Sequence, residues 1–220
     1  MGAAEDKVNW QQLRQRMVAA QLLPRGIEDA RVLQVMSAVP RHHFVPPKLQ
    51  ADAYEDMPLP IGSGQTISQP YIVARMTELL QLAAADSVLE IGAGSGYQAA
   101  VLARLARRVF AVECIPALAQ AATERLRALG VENVEMTLGD GGAGLPRHAP
   151  FAAILVSAAA PRVPPPLLQQ LAEGGRLVAP VGPRQHQRLQ RWVKRGRQCR
   201  REKLTPVRFV PLTGIWGMGN

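Results

Sequence analysis

The chain has 220 residues, 47% of them hydrophobic and 20% charged, which fits one large domain with an extension and excludes a mostly disordered chain. Cys114 and Cys199 stand far apart, and His42, His43, His148 and His186 show no metal-ligand spacing with them, so neither a disulfide framework nor a metal site is expected. The net charge of +9 sits almost wholly between Arg184 and Arg208, where ten Lys/Arg face one acid, Glu202.

At the start, Glu5 and Asp6 occupy a stretch that a secretory signal would fill with basic and then apolar residues. Asp6 also stands where myristoylation after Met1-Gly2 would need Ser or Thr. No apolar run approaches a membrane span, and we expect a cytoplasmic protein in a reducing compartment with no membrane partner.

Trp10, Leu13 and Met17 recur at helical spacing, as do Val32, Leu33 and Met36 before Pro40. Pro58, Pro60, Gly62 and Gly64 then predict an irregular loop that carries Gln65-Thr66-Ile67-Ser68-Gln69 to a helix beginning near Pro70. Short β-type runs follow at 87–91, 108–113, 133–138, 151–156 and 175–180. Between them lie helix-like stretches at 98–106, 116–129 and 166–171. That alternation predicts βαβ units and a mainly parallel, doubly wound α/β sheet. The tail adds two expected strands, 188–194 and 204–211, with Arg195-Gly196 between them. The expected organisation is one domain, with helices and loop over 1–83, a ligand-binding core over 84–182, and terminal strands over 183–220.

Gly92, Gly94 and Gly96 close the first β-run and open a helix, the place where an open α/β sheet binds ligands. Their G-x-G-x-G spacing departs from the dinucleotide fingerprint, whose last glycine would fall at Tyr97, so a nicotinamide cofactor fits less well. A bare tight turn is the alternative. Glu113 ends the second run, where a carboxylate can accept from ribose hydroxyls, and Asp140 ends the third. Either acid alone reads as a solvated loop carboxylate, but together with the glycine turn they favour a nucleoside-bearing ligand. Glu90, just before the glycines, would be a costly buried charge unless amides or a cationic ligand group paired with it. Ser68 by itself reads as a helix cap.

Glu90-x-Gly92-x-Gly94-x-Gly96, Glu113 and Asp140 resemble the Rossmann-like S-adenosylmethionine-dependent methyltransferases. More narrowly, the run from Pro60-Ile61-Gly62 through Gly64-Gln65-Thr66-Ile67-Ser68-Gln69-Pro70 resembles the protein-L-isoaspartate O-methyltransferase family. Val39-Pro40-Arg41, Phe44-Val45 and the tail Val207 to Leu212 carry the same likeness. The resemblance implies that Ser68 is the active-site serine, with Gln65, Thr66 and Ile67 beside cofactor and substrate. It implies that Glu90, Gly92 and Gly94 line the methionine end, Glu113 holds the ribose, Asp140 with Gly141 faces the adenine, and Thr213 closes over the cofactor. Pro60, Ile61, Gly62 and Ser157 are the expected substrate contacts. Relatives carry an aromatic after the Asp-Gly pair, where this chain has Gly142-Ala143-Gly144.

The implied reaction moves a methyl group from S-adenosylmethionine, leaving S-adenosylhomocysteine, to the α-carboxylate of L-isoaspartyl residues in damaged proteins and peptides, without a metal. A carboxylate is ionised near pH 7, so the absence of a compelling His or Lys base agrees with that reaction. The rivals are a nucleic-acid methyltransferase, which the basic tail favours, and a noncatalytic nucleotide-binding module. The tail has few aromatics to stack on bases, and Lys and Arg protect strand edges, so nucleic acid is disfavoured as a partner. A monomer is expected.

Overall fold

The apolar runs pair into a seven-stranded sheet described by a computed structural model covering residues 8–217. Glu5 and Asp6, on which the leader reading rests, lie outside the described residues. A small hairpin comes first, β1 (Leu59–Gly62) and β2 (Gln65–Ile67). The large sheet contains β3 (Ser87–Ile91), β4 (Arg108–Glu113), β5 (Val134–Leu138), β6 (Phe151–Val156), β7 (Leu171–Val181), β8 (Gln187–Arg195) and β9 (Gln198–Val207). Its order is β5-β4-β3-β6-β7-β8-β9, parallel through β7 and antiparallel at β8 and β9. Strand order reverses at β3, and the connections on either side leave a crevice at the carboxyl ends of β3 and β6.

Helices α1 (Trp10–Met17) and α2 (Ala30–Ala38) form the preface, and α3 (Pro70–Leu80), α4 (Tyr97–Ala103), α5 (Pro116–Ala128) and the short α6 (Pro165–Gln169) accompany the strands. Asn9 and Asp29 cap the first two, each accepting a backbone N–H of the first turn. The preface packs through Met17, Leu22, Met36 and Phe44 onto Tyr97 and Val101 of α4. Burying an aliphatic or aromatic side chain of this kind contributes about 1.5–3 kcal/mol. No helix among the described residues is long and apolar enough to cross a membrane.

Four local expectations change. The stretch expected as an irregular loop is the β1–β2 hairpin, turning through Ser63 and Gly64, both at positive φ. Ser68 is not a cap: Gln69 holds the cap position without a side-chain bond, and Asp56 supplies the acceptor, taking the Tyr71 N–H at 3.4 Å. The run expected to be helical to 171 instead becomes β7 at Leu171, passing through a register shift against β6 beside Gly174-Gly175. The last strand begins at Gln198 and ends at Val207, because it pairs through its backbone along β8 while its side chains stay largely in water.

Candidate active site

A cleft of about 870 Å3 opens at the carboxyl ends of β3, β4 and β6, over the reversal of strand order. Its floor is the turn after β3, where Gly92, Gly94 and Gly96 all have positive φ. A side chain at 94 would also press on Ile61, whose Cδ1 would lie 3.3 Å from the added Cβ, so the β1 strand backs the turn directly. Behind it, Arg41 is fully buried, donates to the Ala53 carbonyl at 2.7 Å and stands 5.0 Å from the Tyr97 ring centroid. Burial lowers its pKa to about 10, which leaves it charged at neutral pH.

The two acids in the cleft wall are held in opposite ways. Glu113 accepts three backbone N–H groups, from Gly94 at 2.8 Å, Cys114 at 2.9 Å and Ile115 at 3.0 Å. The Cys114 thiol also approaches Oε1 at 3.6 Å, so the room for a ligand hydroxyl lies on Oε2, where Gly94 N–H is the one donor. Glu90 is 0% exposed, and neither of its oxygens has a hydrogen-bond partner. Desolvation, and secondarily the charge of Glu113, raise its pKa well above the usual carboxylate range. An orphaned carboxyl in a pocket wall is a receptor for a cation or an N–H donor.

Gln65, Thr66, Ile67 and Ser68 form the rim opposite, and Ser157, Gly141 and Thr213 complete it. Gly141 approaches β3 so closely that a Cβ there would meet Ile91 Cγ2 at 2.4 Å. Residues after β9 cross the sheet edge as a strap. Leu212 N–H donates to the Ala159 carbonyl at 2.7 Å, Thr213 Oγ1 lies 3.1 Å from Cys114 Sγ, and Ile215 N–H donates to Asp140 Oδ2 at 3.2 Å. Asp140 itself stays outside the cleft wall. It caps the turn at Gly141–Ala143 through Gly142 N–H, 2.8 Å away, and anchors the strap. A Cβ on Gly142 would meet Trp216 Cδ1 of the strap at 2.8 Å, so that indole occupies the space the glycine leaves.

Pro60, Ile61 and Gly62 line neither the cleft nor the groove beside it; β1 supports the site from behind. That second groove shares Thr66, Ser68, Ser157 and Val210 with the cleft, and runs outward between Tyr71, Arg25 and Arg208. Arg25 lies 3.5 Å over the Tyr71 ring and pairs with Asp56, which also takes the Gln69 amide at 3.1 Å. Residue spacing gave no signal for Arg25, Asp56 or Tyr71, because they converge from three separate segments. Cys114 and Gln98 also line the cleft; the only available cue was that each adjoins a motif.

The family model described as protein-L-isoaspartate(D-aspartate) O-methyltransferase matches residues 13–216. A protein-L-isoaspartate O-methyltransferase of Methanoregula boonei is 56% identical over 207 residues, 94% of this chain and 95% of its own. That of Roseiflexus castenholzii is 59% identical over 193 residues, 88% of each. A solved protein-L-isoaspartate O-methyltransferase superposes with a TM-score of 0.84 at 29% identity, covering 93% of this chain and 67% of its own. A putative one from Plasmodium falciparum, solved in complex with S-adenosyl-L-homocysteine, has a TM-score of 0.77 at 24% identity, covering 94% and 99% of the two chains.

Proposed function

The chain belongs to the protein-L-isoaspartate(D-aspartate) O-methyltransferase family, and on that premise we propose that it methylates the α-carboxylate of L-isoaspartyl residues in damaged proteins and peptides. The observation that carries this reading is the unpartnered Glu90 carboxyl in a cleft whose Ser68 rim opens into a second, outward-running groove. Glu90 fits a cationic ligand, and the glycine turn lets such a ligand lie against the backbone. S-adenosylmethionine, when bound, supplies a sulfonium methyl that a carboxylate can take without prior deprotonation. Gln65, Thr66, Ile67, Gly92, Gly94 and Thr213 would enclose it, with Glu90 toward the methionine end, Glu113 toward the ribose and Gly141 toward the adenine.

Each remaining role belongs to this chain's own groups. Ser68 stands where cleft and groove meet, so its hydroxyl can donate to an acceptor carboxylate and fix the approach of one oxygen. Alignment of that kind contributes several kcal/mol. Ser157 faces the same junction. No residue need act as general base, since the acceptor is already charged. The ester formed returns to succinimide without help, and part of that opens to normal aspartate, which makes the net effect repair. The same reading takes the protein to be a cytoplasmic monomer.

Two otherwise identical peptides, one with L-isoaspartate and one with aspartate, decide the matter when incubated with labelled S-adenosylmethionine. Base-labile label should enter the isoaspartyl peptide alone; label in neither, or preferential label in RNA, would overturn the proposal.

Asp140→Ala tests the strap. Because Asp140 holds Ile215 and Gly142 from outside the cleft, its loss should weaken cofactor binding about tenfold, the size of one charge-assisted hydrogen bond. Turnover at saturating cofactor should change little. A collapse in turnover with unaltered cofactor affinity would remove Asp140 from this role.

A further inference from the structure

The excess positive charge of the tail is not spread evenly over β8 and β9. Cross-strand register puts Arg176 of β7 level with Val193 and Arg200, and Arg191 level with Val178 and Glu202. Side chains two apart on a strand share a face, so Arg176, Arg191, Arg195 and Arg200 all stand on the side of the sheet that carries α3. Strands lie about 4.8 Å apart, which brings these guanidiniums together past the end of α3. There they border a cleft of about 1160 Å3, with Gln81 at one wall and Glu202 as its one acid. The cleft lies toward the amino end of β7, away from the site at the carboxyl ends of the strands.

Helix capping does not account for this cluster. Arg176 donates to the Gln81 carbonyl and Arg191 to its side-chain oxygen. Those two bonds are the only ones the four guanidiniums make to protein acceptors among the described residues, although each guanidinium carries five N–H donors. Arg191 Nε is buried with no partner at all. Its neighbours compound the cost: desolvation, partly offset by Glu202, and then the charges of Arg176 and Arg75 depress its pKa. Arg176 and Arg191 are held by Gln81 while Arg195 and Arg200 are exposed beside them; like charges with free planar donors are relieved by an oxyanion, which guanidiniums bind in bidentate fashion.

We propose that this cleft is a binding site for linked phosphates, an inorganic oligophosphate or the phosphate chain of a nucleotide. Donor-bearing residues on three strands span about 10 Å of sheet at 4.8 Å per spacing, a distance that several linked phosphates cover and that one phosphate covers only by drawing the side chains together. Nucleic acid bases would find no stacking platform, because Trp192 lies on the opposite face beneath Arg201.

Titration calorimetry with sodium tripolyphosphate tests this on the full chain, at about 50 mM salt, where screening of surface charges is weak. The expected result is saturable one-to-one binding, reduced about tenfold or more in Arg195→Gln/Arg200→Gln and further in Arg191→Gln. Arg197→Gln/Lys203→Gln removes the same charge from a turn and from the opposite face, and should leave affinity within about twofold. Methyl transfer to the isoaspartyl peptide should be unchanged in both double variants, which also reports that they are folded. Equal losses in the two double variants, or binding that does not saturate, would overturn the proposal, since either means charge alone is sensed. With the first cleft saturated by S-adenosylhomocysteine, ATP binding like tripolyphosphate assigns the site to the phosphate chain itself; binding about tenfold tighter assigns it to a nucleotide.

Discussion

Ser68→Ala should lower turnover on an isoaspartyl peptide by about 100-fold, toward the lower end of what removing one preorganised donor costs, while cofactor affinity stays within about twofold. The asymmetry follows from position. Ser68 is half-buried at the junction of cleft and groove, past the end of β2 and ahead of the α3 cap position at Gln69. Because the cap acceptor is Asp56, deleting the Ser68 hydroxyl removes no helix bond, and the fold should hold. The lower end is expected because the acceptor carboxylate needs orienting and no proton must move. Ser68→Thr keeps the hydroxyl and should recover part of the loss. Steady-state kinetics with cofactor titration separate the outcomes. Lost cofactor binding with intact turnover would move Ser68 from acceptor positioning to the cofactor pocket.

The inner strands were readable because burial imposes one requirement on them. Each of Val88-Leu89, Val109-Phe110 and Ile154-Leu155 is covered on both faces, so its apolar run stands out between breakers. The β1–β2 hairpin was not readable, since prolines and glycines that mark a loop also build a tight two-stranded turn. Residues 198–203 were missed for the opposite reason: Arg200, Arg201 and Lys203 face water on an edge strand, where backbone pairing alone sets the conformation. At the site, the glycine turn and both acids were legible from their places at strand ends. What joins them was not. Asp56 reaches Gln69 and Tyr71 across more than ten residues, and Asp140 reaches Ile215 across 75. Such contacts depend on where the chain returns, which local spacing does not encode.

Glu90→Gln should act twice, with opposite signs. In the ligand-free chain burial raises the Glu90 pKa, and the nearby Glu113 adds to the shift. The folded state therefore keeps this proton to a higher pH than the unfolded state, whose carboxyl titrates near the ordinary value of about 4.3. Stability from the neutral carboxyl is fully present below that value and is lost as pH rises through the raised pKa. Glutamine is neutral throughout. Its melting temperature should therefore match wild type near pH 4 and exceed it by several degrees at pH 8, at roughly 2–4 °C per kcal/mol for a chain of this size. Binding should move the other way. A cationic ligand beside Glu90 favours the ionised form, so S-adenosylmethionine should bind with proton release and bind more tightly as pH rises. Glu90→Gln should abolish both effects and weaken that binding by about 10- to 100-fold, one charge-assisted contact. S-adenosylhomocysteine, whose sulfur is uncharged, should lose less, and a smaller loss there would assign Glu90 to the sulfonium. Equal losses for both would assign it to the amino group the two ligands share. Unchanged affinity for both, with unchanged melting, would mean that Glu90 is no counter-charge, and its two orphaned oxygens would then have to be satisfied by water.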